Sequence, residues 1–213
     1  MNETSLLSSL KERLASLRTN LLPVRFSATG DYNARQLDKA RGYKLLVHAE
    51  IEYYLEQLAV VAVRSAMEKW DNVREPSITL ISLLACYHSG WDEFDDQRQK
   101  AIIERAKYRA KVKLADNIIK ESQQQFMKLI AENHGIKAKN IEVMFSPTGI
   151  DFSALDPSWL SLMDSFGTAR GAMAHRSHTD SVVKEINPED ESNDVNNIIL
   201  GLENLDKLLI DIL

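Results

Sequence analysis

The sequence predicts an all-α protein, and three observations carry that prediction. Leucine, isoleucine and valine recur at three- and four-residue spacing over long stretches, which gives a helix one buried face. No stretch alternates convincingly between apolar and polar residues at period two, so nothing reads as a half-buried strand. Glycine and proline are scarce, 8 and 5 in 213 residues, which leaves room for long unbroken helices.

Leu6, Leu7, Leu10, Leu14, Leu17 and Leu21 form the apolar stripe of a first helix, and Pro23 ends it. Residues 24–32 read as a loop. From Asn33 to about Trp70 runs a long helix whose buried stripe includes Tyr43, Val47, Ile51, Tyr54, Leu55, Leu58 and Ala62. Helix restarts after Pro76, with Ser77 as its cap and Gly90 just past its end. Asp92 to His134 reads as a second long helix, rich in charge and closed by "NHG". At about 1.5 Å per residue the two long helices reach roughly 55–65 Å, and they are expected to pack antiparallel as the spine of a bundle.

Residues 136–156 hold the turn signals of the middle region and read as a loop with a short helix. Asp156-Pro157 then supplies an N-cap followed by proline at the first helical position, the start of another helix. "NPEDESND" at 187–194 reads as a solvated acidic loop. The last helix, 195–213, carries Val195, Ile198, Ile199, Leu202, Leu205, Leu208, Leu209 and Ile212 along one face. The expected organisation is one helical domain over 1–213, with a core of about 33–178 flanked by the N-terminal helix and the helix 195–213.

Composition narrows the classes. Hydrophobic content of 44% with 27% charged residues suits a globular protein in water. The single cysteine, Cys86, excludes an intrachain disulfide and reads as a small buried hydrophobe. "MNETSLLSSLKERLASL" carries charge through its middle and does not read as a signal peptide. The longest uncharged run, 16 residues at 76–91, is short for a membrane span. The expectation is a cytoplasmic protein without membrane contact. Net charge is −5 but uneven: residues 98–120 hold eight basic and two acidic residues, while 180–213 hold two basic and nine acidic ones. A local +6 can attract a polyanion although the total is acidic, because local field governs the encounter.

The stretch that asks for chemistry is "TARGAMAHRSH", residues 168–178. On a helical wheel Trp159, Met163, Phe166, Arg170 and Met173 fall on one line, so Arg170 sits within an apolar stripe. A guanidinium keeps its proton, so burying it requires a carboxylate or a phosphate. Either Arg170 meets an internal acid, with Glu50 and Glu52 flanking the stripe of the first long helix, or the stripe ends at a groove facing a ligand or a second subunit. His175 lies five residues on, about 140° away on a regular helix. A π-bulge or loosened last turn would bring the two nearer. Alternatively, two copies of the motif face each other across a symmetric dimer, where Gly167 and Gly171 would let a second backbone approach.

Arginine and histidine together suit phosphoryl chemistry, since one clamps phosphate oxygens and the other exchanges a proton near neutrality. In RNA a positioned base can take the 2′-hydroxyl proton, that oxygen attacks the adjacent phosphorus, and no metal is needed. The same residues admit a structural reading: an Arg170–Glu52 core salt bridge, with His175 as a cation at a helix C-terminus.

With its surroundings the motif resembles the HEPN superfamily, whose hallmark is an arginine, four to six residues, then a histidine. Here that is Arg170, four residues and His175, within "FGTARGAMAHRS". "LLVHAEIEYYLEQL" is similar to the family's acidic helix, with Glu52 as the counterpart of its common carboxylate and Glu50 as the alternative. The run from "NHGIKAKN" to "LMDSFG" most resembles the RiboL-PSP-HEPN branch, so the likeness covers roughly residues 40–178. The resemblance implies a metal-independent endoribonuclease without cofactor, a toxin or antiviral-defence effector, acting on RNA as a homodimer. An antitoxin or regulatory protein is an expected partner. Arg170 would hold the scissile phosphate, His175 would be the acid/base residue, and Glu52 would orient the site. The family often has asparagine after the arginine; here it is Gly171, which fits a non-catalytic member of the superfamily as well. The alternative is therefore a helical module that binds RNA or a protein partner without turnover.

Other residues fill out the expected site. His48 lies four residues before Glu52 and is expected to pair with it along the helix. Arg176 and His178 are RNA contacts or ordinary surface residues. Arg105, Arg109 and Lys113 share a face that is either a solvated helix or a track for phosphates. His175 and His178 are three apart, but with no cysteine nearby and no H-E-x-x-H pattern a metal is not expected.

Overall fold

The computed structural model describes residues 3–87, 113–175 and 186–213, with the backbone alone for Lys113, Leu114 and residues 170–175. Seven α-helices and no strand occur among the described residues: α1 (Ser5–Leu21), α2 (Ala34–Val73), α3 (Ile78–Tyr87), α4 (Lys113–Ala131), α5 (Ala138–Phe145), α6 (Pro157–His175) and α7 (Pro188–Ile210). The all-α class is the observed one. The chain forms two compact units, and α2 and α5 contribute to both.

The first unit comprises Met1–Leu58, His134–Val143 and Asp151–Asp211. Its core follows the apolar periodicities: Leu7, Leu10, Leu14 and Leu17 of α1, Val47, Ile51 and Leu55 of α2, and Ile198, Leu202 and Leu205 of α7 are all buried. Each such side chain contributes about 1.5–3 kcal/mol when fully removed from water. Trp159 of α6 lies against Gly201, where an added Cβ would stand 2.2 Å from the indole Cδ1. The missing side chain lets the indole reach α7 and donate from Nε1 to the Ile198 carbonyl at 3.1 Å.

Thr4 caps α1, its Oγ1 accepting from the Leu7 N–H at 3.2 Å. The cap is held by Asp206, which accepts from the Thr4 N–H (2.9 Å), the Thr4 hydroxyl (2.6 Å) and the Tyr54 hydroxyl (3.0 Å).

Residues 187–194 are not the solvated loop that their acidity suggested. Pro188 opens α7, the Asn187 side chain accepts from the Glu189 N–H at 2.9 Å, and Glu191 is buried. An asparagine cap, a proline in the first helical position and acids in the first turn all favour a helix start, because the acids complement the exposed N–H groups and the macrodipole.

The second unit comprises Ala59–Asn133, Met144–Ile150 and Ile212–Leu213. Here α3, capped by Ser77 Oγ accepting from the Leu80 N–H at 3.1 Å, packs on α4 and on the 3₁₀ turn Ser146–Thr148. Gly149 closes that turn at φ +86, with Ile78 Cγ2 2.7 Å from where a Cβ would stand, so both backbone and space demand glycine. Trp70 Nε1 (3.0 Å) and Arg74 Nη1 (2.6 Å) donate to the same oxygen of Asp116, joining the end of α2 to the first turn of α4. Of the expected helix from Asp92 to His134, residues 92–112 lie outside the described residues, and the described part stops at Ala131. Cys86 is exposed rather than buried: it lies in the last turn of α3, at the edge of the buried stripe set by Thr79, Leu80 and Leu83. The 136–156 segment is more helical than expected, with α5 and two 3₁₀ turns.

Candidate functional site

Helix α6 starts where the sequence signals place it: Asp156 Oδ1 accepts from the Ser158 N–H at 2.8 Å and Pro157 takes the first helical position. Trp159, Met163 and Phe166 are buried, as the wheel predicts. The helix is α-helical through His175, without the loosened turn that would bring Arg170 and His175 together. Arg170 therefore takes the register position one turn past Phe166, and His175 a position about 140° further round. The side chains of Arg170 and His175 lie outside the described residues, as do Arg176, His178, Arg105, Arg109 and the side chain of Lys113.

The start of α5 braces α6. Asp164 Oδ1 accepts from the Ala138 N–H at 2.8 Å. At Gly167, a Cβ would meet Lys137 Cγ at 3.1 Å and Ile136 Cγ1 at 3.6 Å. The close approach foreseen at this glycine is thus taken by residues 136–137 of the same chain.

Across the first unit, α2 carries a polar row on a mostly apolar face. Lys44, His48 and Glu52 follow at four-residue spacing, which stacks them along one side of the helix. His48 is 2% exposed and its Nδ1 lies 3.6 Å from Glu52 Oε2, whose side chain is 19% exposed. This is the helix-face pair that the spacing predicted. A buried imidazole beside a partly exposed carboxylate can hold or pass a proton, and the carboxylate can orient a cation. Glu50 points elsewhere: its Oε1 accepts from Arg13 Nε of α1 at 2.9 Å. The two carboxylates offered by the sequence are thus on different faces, Glu52 with His48 and Glu50 with α1.

Sequence reasoning missed two residues here, Lys44 at the head of the row and its partner Glu191 on α7. Lys44 Nζ lies 2.7 Å from Glu191 Oε1 of α7, both side chains less than a tenth exposed. The same ammonium lies 4.8 Å from the centroid of the Phe166 ring on α6. Burial pushes the Glu191 carboxyl above the usual carboxylate range; Lys44 opposes this without cancelling it, and Asp194 and Asp190 add to it. A signal was present on each side. Lys44 stands between Tyr43 and Val47 of the buried stripe, and Glu191 extends the Val195–Ile198–Leu202 face of α7 back by one turn.

No group of three or more His, Cys, Asp or Glu among the described residues is arranged to hold a metal. None of the described helices is long and apolar enough to cross a membrane.

No curated protein and no solved structure shows significant similarity to the chain. The family model described as RiboL-PSP-HEPN matches residues 8–211, a wider span than the motif and its neighbours suggested, taking in most of α1 and all of α7. Such membership carries a coarse nuclease-like or RNA-related role. On that match, the chain belongs to the RiboL-PSP-HEPN family.

Proposed function

We propose that this protein is a metal-independent endoribonuclease that acts as a dimer, a cytoplasmic toxin or antiviral-defence effector held in check by an antitoxin or regulatory partner. The observation that carries the reading is the family match over residues 8–211 with Arg170, four residues and His175 inside it. In the proposed reaction a base takes the 2′-hydroxyl proton and the 2′ oxygen bonds to the adjacent phosphorus. The bond from phosphorus to the 5′ oxygen breaks, and that oxygen takes a proton. The products are a 2′,3′-cyclic phosphate and a 5′-hydroxyl, and no oxidant, water or metal enters the balance. His175 serves as the acid/base residue and Arg170 neutralises the charge that develops on the phosphate oxygens.

Glu52, with His48 behind it, is the carboxylate proposed to orient Arg170; Glu50, engaged by Arg13, is the alternative. Arg176, His178, Arg105, Arg109 and Lys113 are proposed to track the RNA backbone, a role that makes affinity fall with salt. The register of α6 supports the dimer: positions 170 and 175, about 140° apart on one helix, meet more readily when two copies contribute.

The test is a mixed RNA pool incubated in EDTA with the wild type, His175→Ala and Arg170→Ala. Fragments from the wild type alone, ending in cyclic phosphate, are the expected result. Equal cleavage by His175→Ala would remove the mechanism. A second reading, a non-catalytic module that binds RNA or a protein, is favoured by Gly171, which lacks the side chain often found after the family's arginine. It predicts binding without fragments, with Arg170→Ala lowering the melting temperature rather than any rate.

A further inference from the structure

We propose that Lys44, through its contact with Phe166, is a positioning residue that sets where α6 carries Arg170 and His175; this rests on the nuclease reading above. Two contacts tie α6 to α7 in the first unit. Near its start, Trp159 is seated against Gly201 and donates to Ile198, a close steric fit. Two turns on, the tie is of another kind: Phe166 presents its ring to the Lys44 ammonium, which is also paired with Glu191 of α7.

Stability alone does not call for a charge here. A buried cation and carboxylate lose their hydration, and an apolar pair of similar volume would often serve the fold as well or better. The pair is also incompletely satisfied, since Glu191 Oε2 has no hydrogen-bond partner. What the ammonium adds is direction. A ring attracts a cation over its face and not at its edge, so Lys44 fixes the rotation of Phe166 as well as its depth. Phe166 is the buried residue one turn ahead of Arg170, so a rotation of α6 at this point displaces the motif directly. Lys44 also begins the row that continues to His48 and Glu52, so one helix carries both the proposed carboxylate and the residue that aligns the motif with it.

The experiment uses the full chain and a fluorophore–quencher RNA of mixed sequence. Wild type, Lys44→Met, Phe166→Leu, the double variant and His175→Ala are compared for kcat, KM and melting temperature. Phe166→Leu retains the ion pair and apolar bulk, so it keeps the inference testable if Lys44→Met folds poorly. Each single variant is expected to lose about ten- to a hundredfold in kcat well below its melting temperature, with KM within about twofold, as for a reacting group displaced by about 1 Å. The double variant should lose no more than the worse single one, because both act through one contact. Single variants with the wild-type kcat, or losses that multiply in the double variant, would overturn the inference.

If wild type and His175→Ala do not differ, it is the nuclease reading that has failed. Amide exchange then decides the positioning claim alone: Lys44→Met should speed exchange over 166–175 by about tenfold or more relative to α1. Equal change in both segments, or none, would overturn it.

Discussion

Two buried carboxylates stand on α7, Asp206 toward its C-terminal end and Glu191 in its first turn, and they are satisfied in opposite ways. Asp206 accepts from three donors, the Thr4 N–H, the Thr4 hydroxyl and the Tyr54 hydroxyl, none of them a cation. Each donor is short and directional, so Asp206 fixes the cap of α1 and the middle of α2 onto α7. Burial, then the nearby Asp206 charge, raises the Tyr54 hydroxyl well above its ordinary pKa, so this donor keeps its proton at any working pH. Glu191 has one cation and an oxygen with no hydrogen bond. The difference teaches that a buried charge surrounded by neutral donors holds a fold, whereas one balanced by a single cation leaves that cation a second contact, here the Phe166 ring.

Breaking the first site should have the largest effect. Asp206→Ala leaves three donors without an acceptor, each costing about 1–3 kcal/mol when buried, with less than full additivity. A loss of about 4 kcal/mol is expected, read as a melting temperature lower by roughly 10 °C for a chain of this size. A loss below about 1 kcal/mol would mean that the network relaxes onto water and anchors nothing.

Gly201 lies between the two carboxylates and tests the steric tie. Replacing a mid-helix glycine by alanine ordinarily gains about 1 kcal/mol in helix propensity. Here the new methyl would enter a buried, hydrogen-bonded indole, and overpacking of that kind costs about 1–3 kcal/mol or more. The clash wins: Gly201→Ala should lose about 2 kcal/mol in urea unfolding. A stabilised variant would show that Trp159 is free to move and that α6 is held elsewhere.

The acid side of the stability profile sharpens the contrast further. The groups around Glu191 are Lys44 and Tyr43 of α2, Asp190 and Asp194 of α7, and Arg18 of α1, which reaches Ser192. Tyr43, pushed up to about 12 by burial, stays neutral throughout. Because the folded pKa of Glu191 lies above its usual 4.5, the folded state binds this proton more tightly than the unfolded state does. Its contribution is present in full below 4.5 and fades as pH rises through the folded pKa. Melts from pH 4 upward should therefore show wild type losing stability relative to Glu191→Gln as pH rises. A difference running the other way would mean that Lys44 outweighs burial.

Much of this architecture was legible because it rests on periodicity. Leu7, Leu10, Leu14 and Leu17 of α1, the stripe of α2, and Trp159, Met163 and Phe166 of α6 are buried where the spacing puts them, while Leu6 and Leu21 at the ends of the α1 stripe are only half-buried; Asp156-Pro157 marks the start of α6. The helical part of 187–194 was not legible by charge: an acidic run beginning Asn-Pro is a loop signal and a helix-start signal alike. Within it Glu191 is buried against Lys44, 147 residues away in sequence, a partner that no local pattern reveals. The same applies to the site. His48 and Glu52 are four apart and declare themselves, whereas the partner of Glu50 is Arg13, 37 residues earlier. Cys86 misled for a local reason, since the last turn of α3 lies at the edge of the apolar stripe that covers its earlier turns.

The smallest stability effect belongs to Glu50, and it separates the two candidate carboxylates. Glu50 and Arg13 form a pair with side chains 30% and 49% exposed, so solvent screens their attraction and the ordering of two long side chains offsets much of it. Glu50→Gln should cost no more than about 1 kcal/mol and should vanish within error at high salt. It should leave RNA cleavage at the wild-type rate, because Glu50 faces α1 while Glu52 sits in the row with His48 and Lys44. Glu52→Gln, nearly isosteric, should reduce cleavage at a similar melting temperature, since it removes the charge proposed to orient Arg170. Measured side by side, the two variants ask whether the faces of α2 divide fold from function. Equal loss of cleavage in both would mean that the carboxylates act through their summed field on RNA or on the motif, and that the geometry of the row is incidental.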